Sequence, residues 1–239
     1  RDFTEGINLD RTNSRAWYHR GHVYLHMGKV KESLDYNDKA IDIDPTFAAA
    51  YNGRGLTLQR LGKQEEAILD FGRAIQSEPN VATYHRNRAA IHLDLHHHEE
   101  ALADYEKVVG LEPRAAASYY LRGIYWAHMK DWGKALADYT EALTLNPSLA
   151  EAHVNKANVY IQQGKMDDAI AECTAALDTH PISRDAHGKA YVNRGIGWLN
   201  KKEYNKAKAD FEMALKVDPS PEMGDVVHGW LDKIEQEYK

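Results

Sequence analysis

Pro45, Pro79, Pro113, Pro147 and Pro181 follow one another at intervals of 34 residues, and Pro219 comes 38 residues after the last of them. A fixed period of this size marks a chain built from small supersecondary units. Each unit is too small to bury its own apolar face and must lay that face against the next one. Aligned on the prolines, the sequence divides into six units: 14–47, 48–81, 82–115, 116–149, 150–183 and 188–221. The longer last interval inserts four residues in the segment His180–Gly188.

Every unit reads as two helices. The first carries an aromatic or histidine anchor at Trp17, Tyr51, His85, Tyr119, His153 and Tyr191. Four residues later comes a small residue: Gly21, Gly55, Ala89, Gly123, Ala157 and Gly195. Three further on stand Tyr24, Leu58, His92, Trp126, Tyr160 and Trp198. Spacings of four and three put these residues on one helical face. A glycine within a helix costs about 1 kcal/mol relative to alanine, so its repeated use there calls for close helix packing. Gly28, Gly62 and Gly164 fit the left-handed residue that ends a helix. The second helix sets small residues seven apart, as in Ala67 and Ala74 or Ala135 and Ala142. Large residues lie between them at Phe71, Tyr105, Tyr139 and Phe211, and the proline then stops the helix.

These recurrent anchors resemble the tetratricopeptide repeat over nearly the whole chain. The resemblance implies an all-α fold: an α-solenoid of tandem antiparallel helix pairs, wound as a right-handed superhelix with a concave groove. Some positions depart from the pattern. Asn37 and Cys173 take the slot that is aromatic in the other units, and His85 and His92 make the third unit the most polar. Residues 1–13 match the second helix of a truncated repeat, with Phe3 in the aromatic slot and Gly6 in the small slot. The sequence is therefore expected to be a fragment of a longer protein. Residues 222–239 read as a C-terminal capping helix, with Trp230, Leu231 and Ile234 on one side and charges on the other. Six helix pairs with a helix at either end, and no strand, are expected.

Composition narrows the function classes. The chain of 239 residues carries a net charge of −6, which disfavours a bulk nucleic-acid or anionic-membrane binder. No stretch approaches the roughly 20 apolar residues of a membrane span. The single cysteine excludes an intramolecular disulfide and a cysteine-built zinc site, and fits a reducing, cytoplasmic compartment.

No catalytic constellation is present: the sequence has neither a phosphate-cradling glycine loop nor a G-x-S-x-G elbow. Glu65–Glu66, Glu99–Glu100 and Asp167–Asp168 fall at the start of second helices, where negative charge suits the helix dipole. His92, His96, His97 and His98 fall at the bend of the third unit and read as a polar turn. Cys173 reads as a buried structural thiol. Arg20, Arg54, Arg88, Arg122, Lys156 and Arg194 recur in register, as do Asp70, Asp104, Asp138, Glu172 and Asp210. Matched opposite charges at a fixed spacing predict an ion-pair ladder between helices rather than a phosphate-binding stripe. A non-enzymatic chain without cofactor or metal follows.

The resemblance assigns the concave surface to the first helices, on the face opposite the glycine–alanine stripe. Candidate groove residues are Arg15, Tyr18, His22, Asn52, Arg86, Asn87, Tyr120, Asn155, Asn158, Lys189 and Asn193. Asparagine recurs at one position, in Asn87, Asn155 and Asn193, and an amide can donate to and accept from a peptide backbone at once. Family members that clamp the C-terminal carboxylate of heat-shock chaperones use a lysine and an asparagine, then an asparagine, then a lysine and an arginine. Here Tyr120 and Ile124, then Asn155, then Lys189 and Asn193 stand at those places, so a chaperone clamp is disfavoured. Arg15, Arg60, Arg86 and Lys189 outnumber Asp94 and Glu151 on this face, which favours a neutral-to-acidic extended segment. The expected function is a protein–protein interaction scaffold that holds an extended peptide of a partner. The alternatives are the repeat arm of a larger enzyme, such as a glycosyltransferase or phosphatase, and a self-associating spacer.

Overall fold

The computed structural model describes residues 12–237, and among these residues there are thirteen helices and no strand. Apart from its last two residues, the expected helix over 1–13 lies outside the described residues. The first helices of the six repeats are α1 (Ser14–His26), α3 (Ala48–Arg60), α5 (Ala82–Asp94), α7 (Ala116–His128), α9 (Ala150–Gln162) and α11 (Arg184–Asn200). The second helices are α2 (Val30–Ile43), α4 (Gln64–Ser77), α6 (His98–Leu111), α8 (Trp132–Leu145), α10 (Met166–Leu177) and α12 (Tyr204–Val217). A last helix, α13 (Pro221–Glu237), follows. The four inserted residues are helical, because α11 starts at Arg184, one turn ahead of the repeat register at position 188.

Each hairpin turns through one left-handed residue. In the first, second and fifth repeats it is Gly28, Gly62 or Gly164, with φ of 74°, 75° and 74°. In the others it is His96, Lys130 or Lys202, with φ of 60°, 58° and 62°. The sequence reading saw only the glycines. The geometry is the same in both classes: the next N–H reaches back five residues, from Lys29 to the Tyr24 carbonyl and from Asp131 to that of Trp126, both 2.9 Å. A side chain in this conformation costs about 1–2 kcal/mol, which the surrounding packing offsets.

Residues up to Pro113 and residues from Arg114 form two compact units. In the first unit, α1 packs on α2, α3 on α4 and α5 on α6, while α2 also packs on α3 and α4 on α5. In the second unit, the hairpins α7–α8, α9–α10 and α11–α12 stack through α8 on α9 and α10 on α11, and α13 covers α12. Each unit is thus an all-α array of tandem helix pairs.

The small residues sit where rings press on the helix. A Cβ added to Gly55, Gly123 or Gly195 would lie 2.7 Å from the ring of Phe71, Tyr139 or Phe211, respectively. Those rings are buried, each contributing about 1.5–3 kcal/mol. The third position of each repeat, held by Ala16, Ala50, Tyr84, Ser118, Ala152 and Ala190, is also buried, which the reading did not foresee. Within a unit the first helix packs between its own second helix and the second helix of the preceding pair, as where Ala50 meets Ala40 and Ile41, so two of its faces are covered. Of the foreseen anchors, Tyr51, Tyr119 and Tyr191 are half-buried, and Arg54, Arg122 and Arg194 lie over their rings. His85 and His153 take over a tyrosine's bond: Tyr51 Oη donates to the Pro45 carbonyl, and the Nε2 atoms face those of Pro79 and Pro147.

Asn37 keeps the standard register, with its amide nitrogen against Gly21. That nitrogen donates to the Ser33 carbonyl at 2.8 Å, while the buried Oδ1 has no partner. One half of the amide is thus satisfied and the other is not. Tyr36 stays on the outer side, stacked on Trp17.

Candidate functional site

The recurring cations and acids form pairs across each hairpin. Arg54 grips Asp70 with bonds of 2.6 and 2.8 Å, and Arg88–Asp104, Arg122–Asp138 and Arg194–Asp210 repeat the two-bond geometry. Lys156 meets Glu172 at 2.8 Å, and His153 shares that carboxylate at 2.6 Å. Burial alone would raise the Glu172 carboxyl, but these bonds outweigh it and hold the group below its usual range. In the first repeat Tyr36 stands in the acid's place, and Arg20 lies over its ring at 4.6 Å. These cations are engaged in contacts within the fold.

The histidine cluster divides into two pairs because His96 is left-handed. His92 meets His97 through Nδ1 atoms 3.3 Å apart, and His96 faces His98. Among the described residues no group of three or more histidine, cysteine, aspartate or glutamate side chains is arranged to hold a metal ion. Cys173 is fully buried, and burial pushes its thiol up to about 12.

The asparagines of the groove face bridge neighbouring repeats. Asn87 Nδ2 donates to Asn52 Oδ1 at 2.8 Å, Asn155 Nδ2 to the Tyr120 hydroxyl at 3.2 Å, and Asn193 Nδ2 to the Val154 carbonyl at 3.4 Å. Each bond joins one first helix to the equivalent helix of the preceding repeat. Burial raises the Tyr120 hydroxyl above its ordinary value. The recurrence of asparagine therefore has a structural cause, and one N–H of each amide is used by it.

The candidate residues fall into two groups. In the first unit Arg15 is exposed, and Tyr18 is half-buried, edge-on to Phe47. His22 is exposed and meets His26, Asn52 is buried beneath Asn87, and Arg86 pairs with Glu112 at 3.6 Å. Burial, then the neighbouring His26 and His19, lowers the His22 imidazole below its usual value. Arg60 donates to the Leu25 carbonyl at 2.9 Å.

In the second unit Tyr120, Asn155, Asn158, Lys189 and Asn193 line a run of clefts over the first helices. The largest is about 400 Å³, with Ile124, Trp132, Tyr139 and Val159 as its apolar part and His128, Asn155, Asn158 and Gln162 as its polar part. A narrow cleft of about 50 Å³ shares Asn155 with it and holds Tyr120, Glu151 and Lys189. A third, of about 370 Å³, continues from Lys189 and Asn193 to Met223 and Val226 on α13. Lys189 is neutralised by Asp185 at 2.7 Å. The cations counted from sequence therefore do not gather in this unit, and the large cleft has no lysine, arginine or carboxylate in its lining. The reading missed Trp132 and Tyr139 because it drew only on first helices, and Met223 and Val226 because it treated the last helix as a cap. Trp132 was the available signal, a tryptophan where the other repeats have Val30, Gln64, His98, Met166 and Tyr204.

Models of the tetratricopeptide repeat match residues 14–47, 36–69, 86–150 and 127–189. No curated protein matches. Among solved structures, the chain is similar to PilF of Pseudomonas aeruginosa, with 15% identity over 94% of this chain and 98% of that one, and a TM-score of 0.75. It is also similar to YrrB, described as a tetratricopeptide protein with an unusual peptide-binding site, with 19% identity over 78% and 96% and a TM-score of 0.60. A further likeness is to the Cut9–Hcn1 hetero-tetramer of APC/C, with 18% identity, 95% of this chain, 44% of that one and a TM-score of 0.74. At these identities the likeness is one of fold. No described helix is long and apolar enough to cross a membrane.

Proposed function

The chain belongs to the tetratricopeptide repeat family, and on that premise we propose that it is a non-enzymatic interaction module that holds an extended, uncharged segment of a partner protein along the groove of its second unit. One observation carries the reading: a cleft of about 400 Å³ with an aromatic and aliphatic part, a rim of amides and no lysine, arginine or carboxylate in its lining. Such a cleft takes an apolar side chain, and the amides meet the backbone on either side of it. Asn155 and Asn193 offer the backbone what their bonds to the neighbouring repeat leave over, while Asn158 and Gln162, both exposed, offer a whole amide. The peptide-binding site named for YrrB is in keeping with this use of the fold. A cytoplasmic setting, with Cys173 reduced, belongs to the same reading.

The test is phage selection of peptides on the purified chain, followed by calorimetry of the best binder. Each amide contact is worth about 0.5–1.5 kcal/mol, so Asn158→Ala with Gln162→Ala weakens binding by roughly tenfold. Trp132→Ala weakens it further by removing the apolar contact. Unchanged affinity in these variants, or crosslinks confined to the second helices' outer face, would place the partner elsewhere.

A further inference from the structure

His22 and His26 stand one turn apart on an exposed face of α1, in the first unit, and line none of the clefts just described. Their Nε2 atoms face each other at 3.3 Å, with ring centroids 4.5 Å apart. That is a hydrogen-bond contact between the bare rings, and it is also the separation that a metal ion imposes: two nitrogens at about 2.0–2.1 Å from a tetrahedral ion lie about 3.3–3.4 Å apart. We infer that His22 and His26 form a two-nitrogen site for a divalent first-row ion of the class that imidazole suits, namely zinc, nickel or copper.

The chemistry of the pair supports this. In the bare pair one Nε2 carries the proton shared between the rings. A cation needs both Nε2 lone pairs, so that proton moves to the solvent-facing Nδ1 of its own ring, with no net release when both rings are neutral. Both rings are exposed, so water completes the coordination shell. From the neighbouring helix α3, the charged group here is Arg60, turned onto the Leu25 carbonyl. The His92–His97 pair has the same 3.3 Å separation, but His92 is only 8% exposed and Arg88 faces it, which leaves no open coordination positions.

The test uses the full chain without a histidine tag and titrates it calorimetrically with zinc chloride and nickel chloride at about pH 7.5 and about pH 5.5, either side of the imidazole range. Wild type binds at the higher pH and loses the ion at the lower one, because protons and metal compete for the same nitrogens. His22→Ala and His26→Ala each weaken binding at least about tenfold through loss of the two-point attachment, and His97→Ala leaves it unchanged. Circular dichroism checks that the exposed substitutions keep the fold. Absence of binding to wild type, a smaller loss in either variant, or a loss that follows His97→Ala overturns the assignment.

Discussion

In the first unit the space behind Gly21 is filled by Asn37. In the second, the equivalent space behind Gly123 is filled by Tyr139. The difference continues outward. The second unit locks its first hairpin with two bonds between Arg122 and Asp138, whereas the first hairpin of the first unit is joined by ring contacts, with Arg20 lying over Tyr36 and Trp17 stacked on it. Around Asn37 the contacts are polar: Ser33 Oγ and Thr57 Oγ1 are 2.9 Å apart, and the Asn37 Oδ1 is buried without a partner. The groove faces differ in the same sense, with histidines and Arg15 in the first unit and amides over an aromatic cleft in the second. One hairpin geometry thus tolerates two chemistries, because the backbone register needs a small residue facing something that fills the space, and not a particular ring.

The largest expected effect tests the filling itself. Gly123→Leu drives a side chain into a rigid ring, since even a Cβ there would lie 2.7 Å from Tyr139. A loss of about 3 kcal/mol is expected in urea denaturation. Gly21→Ala meets an amide that can turn, with the Asn37 nitrogen 2.9 Å from the new Cβ, and should lose about 1 kcal/mol. Equal losses would erase the contrast between the two units.

Next in size is the rung of the ladder. Asp138→Asn leaves the Arg122 guanidinium facing a neutral group at a site where the acid is 8% exposed and the arginine 23%. About 2 kcal/mol is expected, discounted from a fully buried pair because the arginine reaches solvent. Tyr36→Leu removes the corresponding first-repeat contact at about 0.5–1 kcal/mol. Thermal melts of the two variants give the order, and a larger loss for Tyr36→Leu would reverse it.

The smallest effect carries the opposite sign. Lys130→Gly relieves a left-handed side chain at φ 58° and should stabilise by about 0.5–1 kcal/mol. Gly28→Ala, at φ 74°, should lose about 1 kcal/mol for the same reason. A destabilised Lys130→Gly would mean that the lysine side chain itself holds the turn.

The sequence by itself determined the period, the two helices of each unit, the need for close helix packing at Gly55, Gly123 and Gly195, and the ladder from Arg54 to Asp210. All of these pair residues inside one hairpin, where the spacing is fixed by the helix and by a short turn, and six copies in register make the spacing visible. Tertiary structure alone decided what happens between copies. It buried the third position of each repeat, and it made Asn87, Asn155 and Asn193 into bridges to the preceding helix. It also brought Trp132 and Tyr139 under Asn155 and carried Met223 to Lys189 and Asn193. Those contacts join residues from different repeats or different helices, whose approach is set by how one pair stacks on the next. Stacking depends on the summed shape of both surfaces, and no single repeat's pattern encodes that sum.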